Sequence, residues 1–169
     1  MKFVLMIIAP IDFRDEEYFE PKAILEKAGH HVTTASTKIG KITGSRGGIA
    51  ESTMLLSNVN ADSFDAVIFV GGQGSYIFDE NPQALNIAKV FYNNNKLTTA
   101  ICHAPIILAK SGVLKAKKAT VFPGDSGELT NLGVNYLANQ VVIDGNIVTA
   151  NGPDAATEFG NTIVDILQP

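Results

Sequence analysis

The only cysteine, Cys102, lies in the stretch Leu97-Thr98-Thr99-Ala100-Ile101-Cys102-His103-Ala104-Pro105. An apolar, β-branched run ends at the thiol, and a helix-like run, Ile106-Ile107-Leu108-Ala109, follows it. A strand-to-helix turn of this kind exposes a nucleophile at the carboxyl edge of a sheet and aims it at a helix N-terminus. The positive end of the helix dipole favours thiolate over thiol, so the group is expected to titrate below the ~8.5 of a free cysteine. Most lone cysteines are small buried hydrophobes; the elbow sets this one apart.

Two further loops carry groups suited to assist a thiolate. The run Phe3 to Ala9 is followed by Asp12, Asp15, Glu16 and Glu17, and the run Ala66 to Val70 by Gly71-Gly72. In open α/β sheets, loops at the carboxyl ends of the strands converge on the ligand site. Glycines let backbone N–H groups approach a substrate oxygen with no Cβ in the way. An elbow takes its oxyanion donors from the residue after the nucleophile and from a neighbouring loop. Here these would be the N–H groups of His103 and Gly72. His30 and His31 enter a strand side by side and point to opposite faces, so no metal site is expected.

The elements that must position these groups follow from pattern. Phe3–Ala9 reads as a continuously apolar strand, covered on both faces. Glu16 to about Ala28 reads as a helix stopped by Gly29, with Pro21 near the first turn if that helix starts late. His31–Ala35 is a second strand, and Gly40–Leu55 a hairpin or small sheet extension broken by Gly44, Gly47 and Gly48. Ala66–Val70 is a buried strand. Asn81-Pro82 opens a helix to about Tyr92, and Leu97–Ile101 is the strand before the elbow. Beyond Gly112, Ala119–Phe122 reads as a strand and Ser126–Leu132 as a short helix. Gln140–Ile143 and Asn146–Thr149 form a hairpin around Asp144-Gly145, a pair suited to a type I′ turn. A last helix spans about Ala155 to Leu167. Alternating strands and helices predict one domain over residues 1–169, an α/β sandwich with a mostly parallel sheet.

Composition narrows the function classes. The 169 residues, 46% hydrophobic, suit one full-sized core. Thirteen Lys+Arg against 17 Asp+Glu give a net charge of -4, with no basic block to favour nucleic acid. Lys110, Lys115, Lys117 and Lys118 read as a solvated helix end. The apolar start is short, lacks a small-residue cleavage site and is followed by acids, so it reads as a first strand and not a leader. No stretch approaches the ~20 residues of a membrane span. A single cysteine makes no intrachain disulfide, which fits a reducing cytoplasm.

The ordered set of Gly71-Gly72, Ala100-Ile101-Cys102-His103-Ala104-Pro105 and the acidic opening of the first helix resembles the ThiJ/PfpI superfamily. That group holds PfpI-type intracellular proteases and the Parkinson-disease-associated deglycases. Asp144-Gly145-Asn146, Thr149, Gly152-Pro153 and Glu158-Phe159 extend the likeness over nearly the whole chain. The resemblance implies a flavodoxin-like three-layer sandwich related to class I glutamine amidotransferases, and a homodimer or larger homo-oligomer. It also implies a glutamate from the first helix beside the cysteine; Phe13-Arg14-Asp15-Glu16-Glu17 with Pro21 assigns that role to Glu17. A protonated Glu17 donating to sulfur avoids the repulsion of two anions. In PfpI-type members a histidine after the cysteine pairs with it and is oriented by a glutamate of the next subunit. Tyr76 falls in that glutamate's place here, with Asp79 or Glu80 as substitutes from a shifted loop. Deglycase-type members commonly carry alanine at the position of His103.

Three readings result. The leading one is a cofactor-independent enzyme for reactive carbonyls, of the glyoxalase or deglycase kind, with Cys102 as nucleophile, Glu17 as proton shuttle, and Gly71, Gly72 and the His103 amide at the substrate oxygen. The second is a cysteine peptidase using Cys102 and His103. The third is a stress-response redox sensor in which Cys102 becomes a sulfinate held by Glu17. A glutamine amidotransferase triad needs a histidine downstream of the cysteine, and none follows residue 103.

Overall fold

The computed structural model describes residues 1–168. The apolar run at the start forms β1 (Phe3–Ile7), and a short strand not expected from the sequence, β2 (Ile11–Phe13), leads into α1 (Asp15–Lys27). Then come β3 (His31–Ser36), the hairpin β4 (Gly40–Gly44) and β5 (Ile49–Ser52), and the two-residue β6 (Met54–Leu55). β7 (Ala66–Phe69) precedes α2 (Pro82–Asn93), and β8 (Leu97–Ile101) precedes α3 (Pro105–Lys110). The remainder is β9 (Lys118–Ala119), α4 (Ser126–Asn131), β10 (Asn135–Tyr136), β11 (Val141–Asp144), β12 (Ile147–Ala150) and α5 (Ala156–Leu167).

Seven strands make the central sheet in the order β11-β12-β8-β7-β1-β3-β6. Every pairing is parallel except β11 with β12. Alternation along β1 explains its unbroken apolarity. Leu5 and Ile7 join a core with Ala88 and Phe91 of α2, and Val4 and Met6 join one with Leu25 of α1 and Phe159 of α5. The chain is therefore the expected α/β sandwich: helices on both faces of a mostly parallel sheet. Three parallel strands in succession (β8, β7, β1) bring their carboxyl ends, and the loops after them, to one edge.

Local departures have physical reasons. α1 starts at Asp15 and passes through Pro21, so the proline is interior to the helix and not in its first turn. Pro21 lacks the N–H that would bond the Glu17 carbonyl, but it is buried and its backbone lies against Gly160 of α5; packing outweighs the lost bond. The strand expected at Ala119–Phe122 is confined to Lys118–Ala119 and pairs with β10, a strand not expected from the sequence. β9 ends at Ala119, after which the Thr120 N–H donates to the Thr149 hydroxyl at 2.9 Å, and the chain then turns into a 3₁₀ segment over Pro123–Asp125. The last hairpin turns at Gly145-Asn146, one residue later than expected. Asp144 stays in the ladder opposite Ile147, and its carboxylate accepts the Lys118 N–H at 2.8 Å.

Candidate active site

Cys102 follows β8 directly with φ +64°, the left-handed conformation that β-carbon-bearing residues occupy only under strain. Its N–H donates to Ala150 O at 2.9 Å and its carbonyl accepts from Phe122 N at 2.8 Å, which locks the elbow between β12 and the 122–125 turn. The thiol is half-buried. α3 begins three residues after it and is only six residues long. The backbone N–H groups that reach the sulfur are those of His103 and Gly72.

Glu17 is fully buried on α1. Its Oε2 accepts the Gly71 N–H at 3.1 Å, Oε1 is buried with no nitrogen or oxygen donor, and the carboxyl meets the Cys102 thiol. Burial raises its pKa to about 7, against the lowering effect of the thiol and the Gly71 N–H. Gly71 allows this contact. A Cβ there would come within 2.6 Å of Glu17 Oε2 and of the Ile101 carbonyl, and 2.7 Å of Cys102 Cβ. The adjoining Glu16 is paired instead with Arg14, Nε to Oε2 at 2.7 Å, near the surface.

The expected fall in the Cys102 pKa does not occur. Burial pushes the thiol up, and the neighbouring Glu17 pushes it further, while the two amides work in the opposite direction. A six-residue helix beginning beyond the elbow contributes less than desolvation takes away. Both groups therefore favour their neutral forms, and the two do not readily ionise together.

His103 is 3% exposed and turned away from the thiol. Its Nε2 lies 2.9 and 3.0 Å from the Asp79 oxygens, and its Nδ1 2.9 Å from Asp125 Oδ2. Both ring nitrogens are thus engaged by carboxylates, and the Cys–His pairing is not formed. Tyr76 stacks on the imidazole with ring centres 3.6 Å apart. Asp79 takes the orienting place from within the same chain, whereas Glu80 pairs with Lys110 at 2.7 Å. Asp125, 22 residues from His103 in the chain, carries no sequence signal for this contact; only the fold joins them.

A cavity of about 260 Å³ opens over the thiol, bordered by Arg14, Glu17, Tyr76, Cys102, His103 and Phe122. A larger concavity, about 800 Å³, lies at the amino ends of the strands. Its lysines are already engaged, Lys2 by Asp65 and Lys96 by the Ala61 and Phe64 carbonyls. The smaller cavity holds the reactive groups. His30 accepts the Lys2 N–H at its Nδ1, 3.2 Å, while His31 is exposed. Among the described residues no three His, Cys, Asp or Glu side chains are arranged to hold a metal ion, and no helix is long and apolar enough to cross a membrane.

Known proteins resemble this chain over nearly its whole length. The model of the DJ-1/PfpI family matches residues 2–166. An uncharacterized protein of Methanocaldococcus jannaschii is 43% identical, over 98% of this chain and 82% of its own length. A Pyrococcus abyssi protein named as a deglycase is 36% identical, over 97% of this chain and 99% of its own. The crystal structure of a ThiJ/PfpI domain protein from Brachyspira murdochii superposes with TM-score 0.96 at 36% identity, covering 98% of this chain and 95% of that one. The chain belongs to the DJ-1/PfpI family.

Proposed function

We propose that this chain is a cysteine-dependent, cofactor-independent enzyme acting on small reactive carbonyls, of the glyoxalase or deglycase kind. The observation that carries this reading is the buried Cys102–Glu17 pair, with its titration displaced upward at both groups, beneath a cavity of about 260 Å³. That volume is at the small end of ligand pockets and suits a substrate of few atoms. The deglycase name of the Pyrococcus abyssi relative agrees with it.

With a 2-oxoaldehyde the steps balance as follows. The Glu17 carboxylate takes the Cys102 thiol proton as the sulfur adds to the aldehyde carbon and returns it to the resulting alkoxide, giving a hemithioacetal and the free carboxylate. The Glu17 carboxylate then removes the hydrogen from that carbon as the electron pair shifts onto the adjacent ketone oxygen, giving an enediolate; the same proton is returned to the neighbouring carbon, and the hydroxyl proton of the hemithioacetal passes to the former ketone oxygen. A thioester results, and water cleaves it to a 2-hydroxy acid and the free thiol. A carboxyl with a pKa of about 7 is suited to both giving and taking a proton near neutrality. The Gly72 and His103 N–H groups are the donors for the developing oxyanion.

The peptidase reading requires the imidazole as a base. Both His103 nitrogens are taken by Asp79 and Asp125, so the carbonyl reading is favoured. The test is consumption of methylglyoxal beside cleavage of unfolded casein. Wild type is expected to consume methylglyoxal, Cys102→Ala to lose that activity with its thermal stability intact, and casein to remain uncut. Full activity in Cys102→Ala, or efficient casein cleavage that disappears in His103→Ala, would overturn the assignment. Oxygen added by peroxide to Cys102 without any turnover would put the sensor in its place. We propose in addition that the chain acts as a homo-oligomer in the cytoplasm.

A further inference from the structure

The carbonyl reading uses only the backbone of His103, yet its ring is among the most tightly held groups in the molecule. A neutral imidazole has one N–H and one bare nitrogen, whereas an imidazolium donates from both. Between Asp125 at one nitrogen and Asp79 at the other, only the imidazolium satisfies both contacts. Each carboxylate is joined to a different arm of the site. Asp79 N donates to the Tyr76 carbonyl, and Ser75 bonds the Gly72 carbonyl through both its N–H, 3.0 Å, and its hydroxyl, 2.7 Å. Asp125 N donates to Phe122 O, and Phe122 N to Cys102 O, each at 2.8 Å. One arm ends at the Gly72 amide and the other at the elbow.

We propose that His103 is a positioning residue: held as an imidazolium between Asp79 and Asp125, its ring pins these two arms together and so fixes the Gly72 and His103 amides on the Cys102 sulfur. This rests on Cys102 being the nucleophile. It gives roles to Asp125, which lines the cavity over the thiol, and to Asp79, which does not. The groups facing the ring are the two aspartates and the stacked Tyr76. Across the cavity are Glu17, Cys102 and Arg14, the last already paired with Glu16. Behind Asp79 stands Lys110, held 2.7 Å from Glu80 and 3.6 Å from Glu128. Burial disfavours charge on the ring, but the hydrogen bonds it donates to Asp79 and Asp125 outweigh it, and the pKa lies above that of an ordinary histidine. As pH rises through that value one carboxylate comes to face a lone pair, the pin opens on one side, and the amides lose their register.

The chain has three histidines, so imidazole proton resonances of the intact protein can be followed one by one across pH, alongside the rate of Cys102 alkylation by iodoacetamide. One resonance, absent in His103→Gln, is expected to titrate above 6.5, and Asp125→Asn to move it down by about one pH unit or more. Wild-type alkylation is expected to show an inflection at the same pH; Asp125→Asn should shift it, and His103→Gln should abolish it. Turnover in His103→Gln is expected to fall roughly tenfold or more in kcat with KM little changed, as for a misplaced catalytic group. A His103 resonance titrating at or below 6.5 overturns the proposal. So does an alkylation inflection that stays in place in Asp125→Asn, whatever that variant does to stability. Alkylation and resonances need no substrate. A moving inflection in a protein that consumes no carbonyl would support the pin and refute only the carbonyl reading.

Discussion

Glu16 and Glu17 are adjacent acids in the first turn of α1, and both suit a helix N-terminus electrostatically. Their fates differ by one helical step of about 100°. Glu16 pairs with Arg14 near the surface, where the guanidinium holds its pKa low, and Glu17 is driven into the core, where burial raises its pKa. An acid that folds with its pKa raised from 4.5 to about 7 binds its proton more tightly in the native state. The native state therefore loses stability as pH rises through that window, by about 3 kcal/mol at ~1.4 kcal/mol per unit. Glu17→Gln keeps an acceptor for the Gly71 N–H and removes the titration. Its melting temperature is expected to exceed that of wild type by roughly 6–12 °C at pH 8 and to converge with it near pH 4.5. Carbonyl turnover should be lost, and Glu16→Gln should have neither effect. An equal difference between Glu17→Gln and wild type at both pH values would show that Glu17 is not held protonated. Sequence alone could name the candidate acids; the choice of Glu17 came from the family's spacing, and the Asp125–His103 contact had no local signature at all.

At the scale of elements, the site is a meeting of three ends: the loop after β7, the start of α1 and the elbow after β8. The regular parts were legible because buried parallel strands are continuously apolar and because Asn81 caps α2 as its type suggests, accepting from Gln83 and Ala84. What was not legible is set by distant partners. Pro21 stays inside α1 because α5 packs on it, and β10 exists because β9 offers it an edge. The short reach of α3 removed the dipole argument for the thiol, and no residue in the elbow itself announced how soon that helix would end. Gly71 tests the meeting of ends directly. Two of the three nearest atoms to a Cβ there are the Ile101 carbonyl oxygen and the Cys102 Cβ, which belong to the rigid elbow. Gly71→Ala is therefore expected to cost about 1–3 kcal/mol in denaturant unfolding, the range for overpacking a tight site, and to abolish turnover. Stability and activity equal to wild type would mean that the elbow yields more easily than its hydrogen bonds to Ala150 and Phe122 suggest.

For the molecule as a whole, the small sheet of β2, β4 and β5 stands outside the main one and carries an apolar row to the surface. Ile11 pairs with Thr43, and Thr43 with Ile49, so the three side chains lie abreast across the strands. Ile11 is 65% exposed and Ile49 63%, two large apolar side chains flanking Thr43 on one exposed face. We propose a second copy of the chain, meeting the same face, as the occupant of this surface. The row also communicates with the site, since β2 runs through Phe13 into Arg14 and the turn after Gly72 packs on β2: a Cβ on Gly74 would overlap the Ile11 carbonyl. Sedimentation equilibrium at micromolar concentration is expected to return at least twice the chain mass of 18.0 kDa. Ile11→Lys with Ile49→Glu is expected to shift the protein to one chain, because an association face of about 800 Å² per partner does not tolerate unpaired charges at its centre. Turnover should weaken in the same variant as β2 loses its support, with Cys102, Glu17 and His103 untouched. A wild-type protein that sediments as a single chain, or a charged double variant that still associates, would place the contact between copies elsewhere or nowhere.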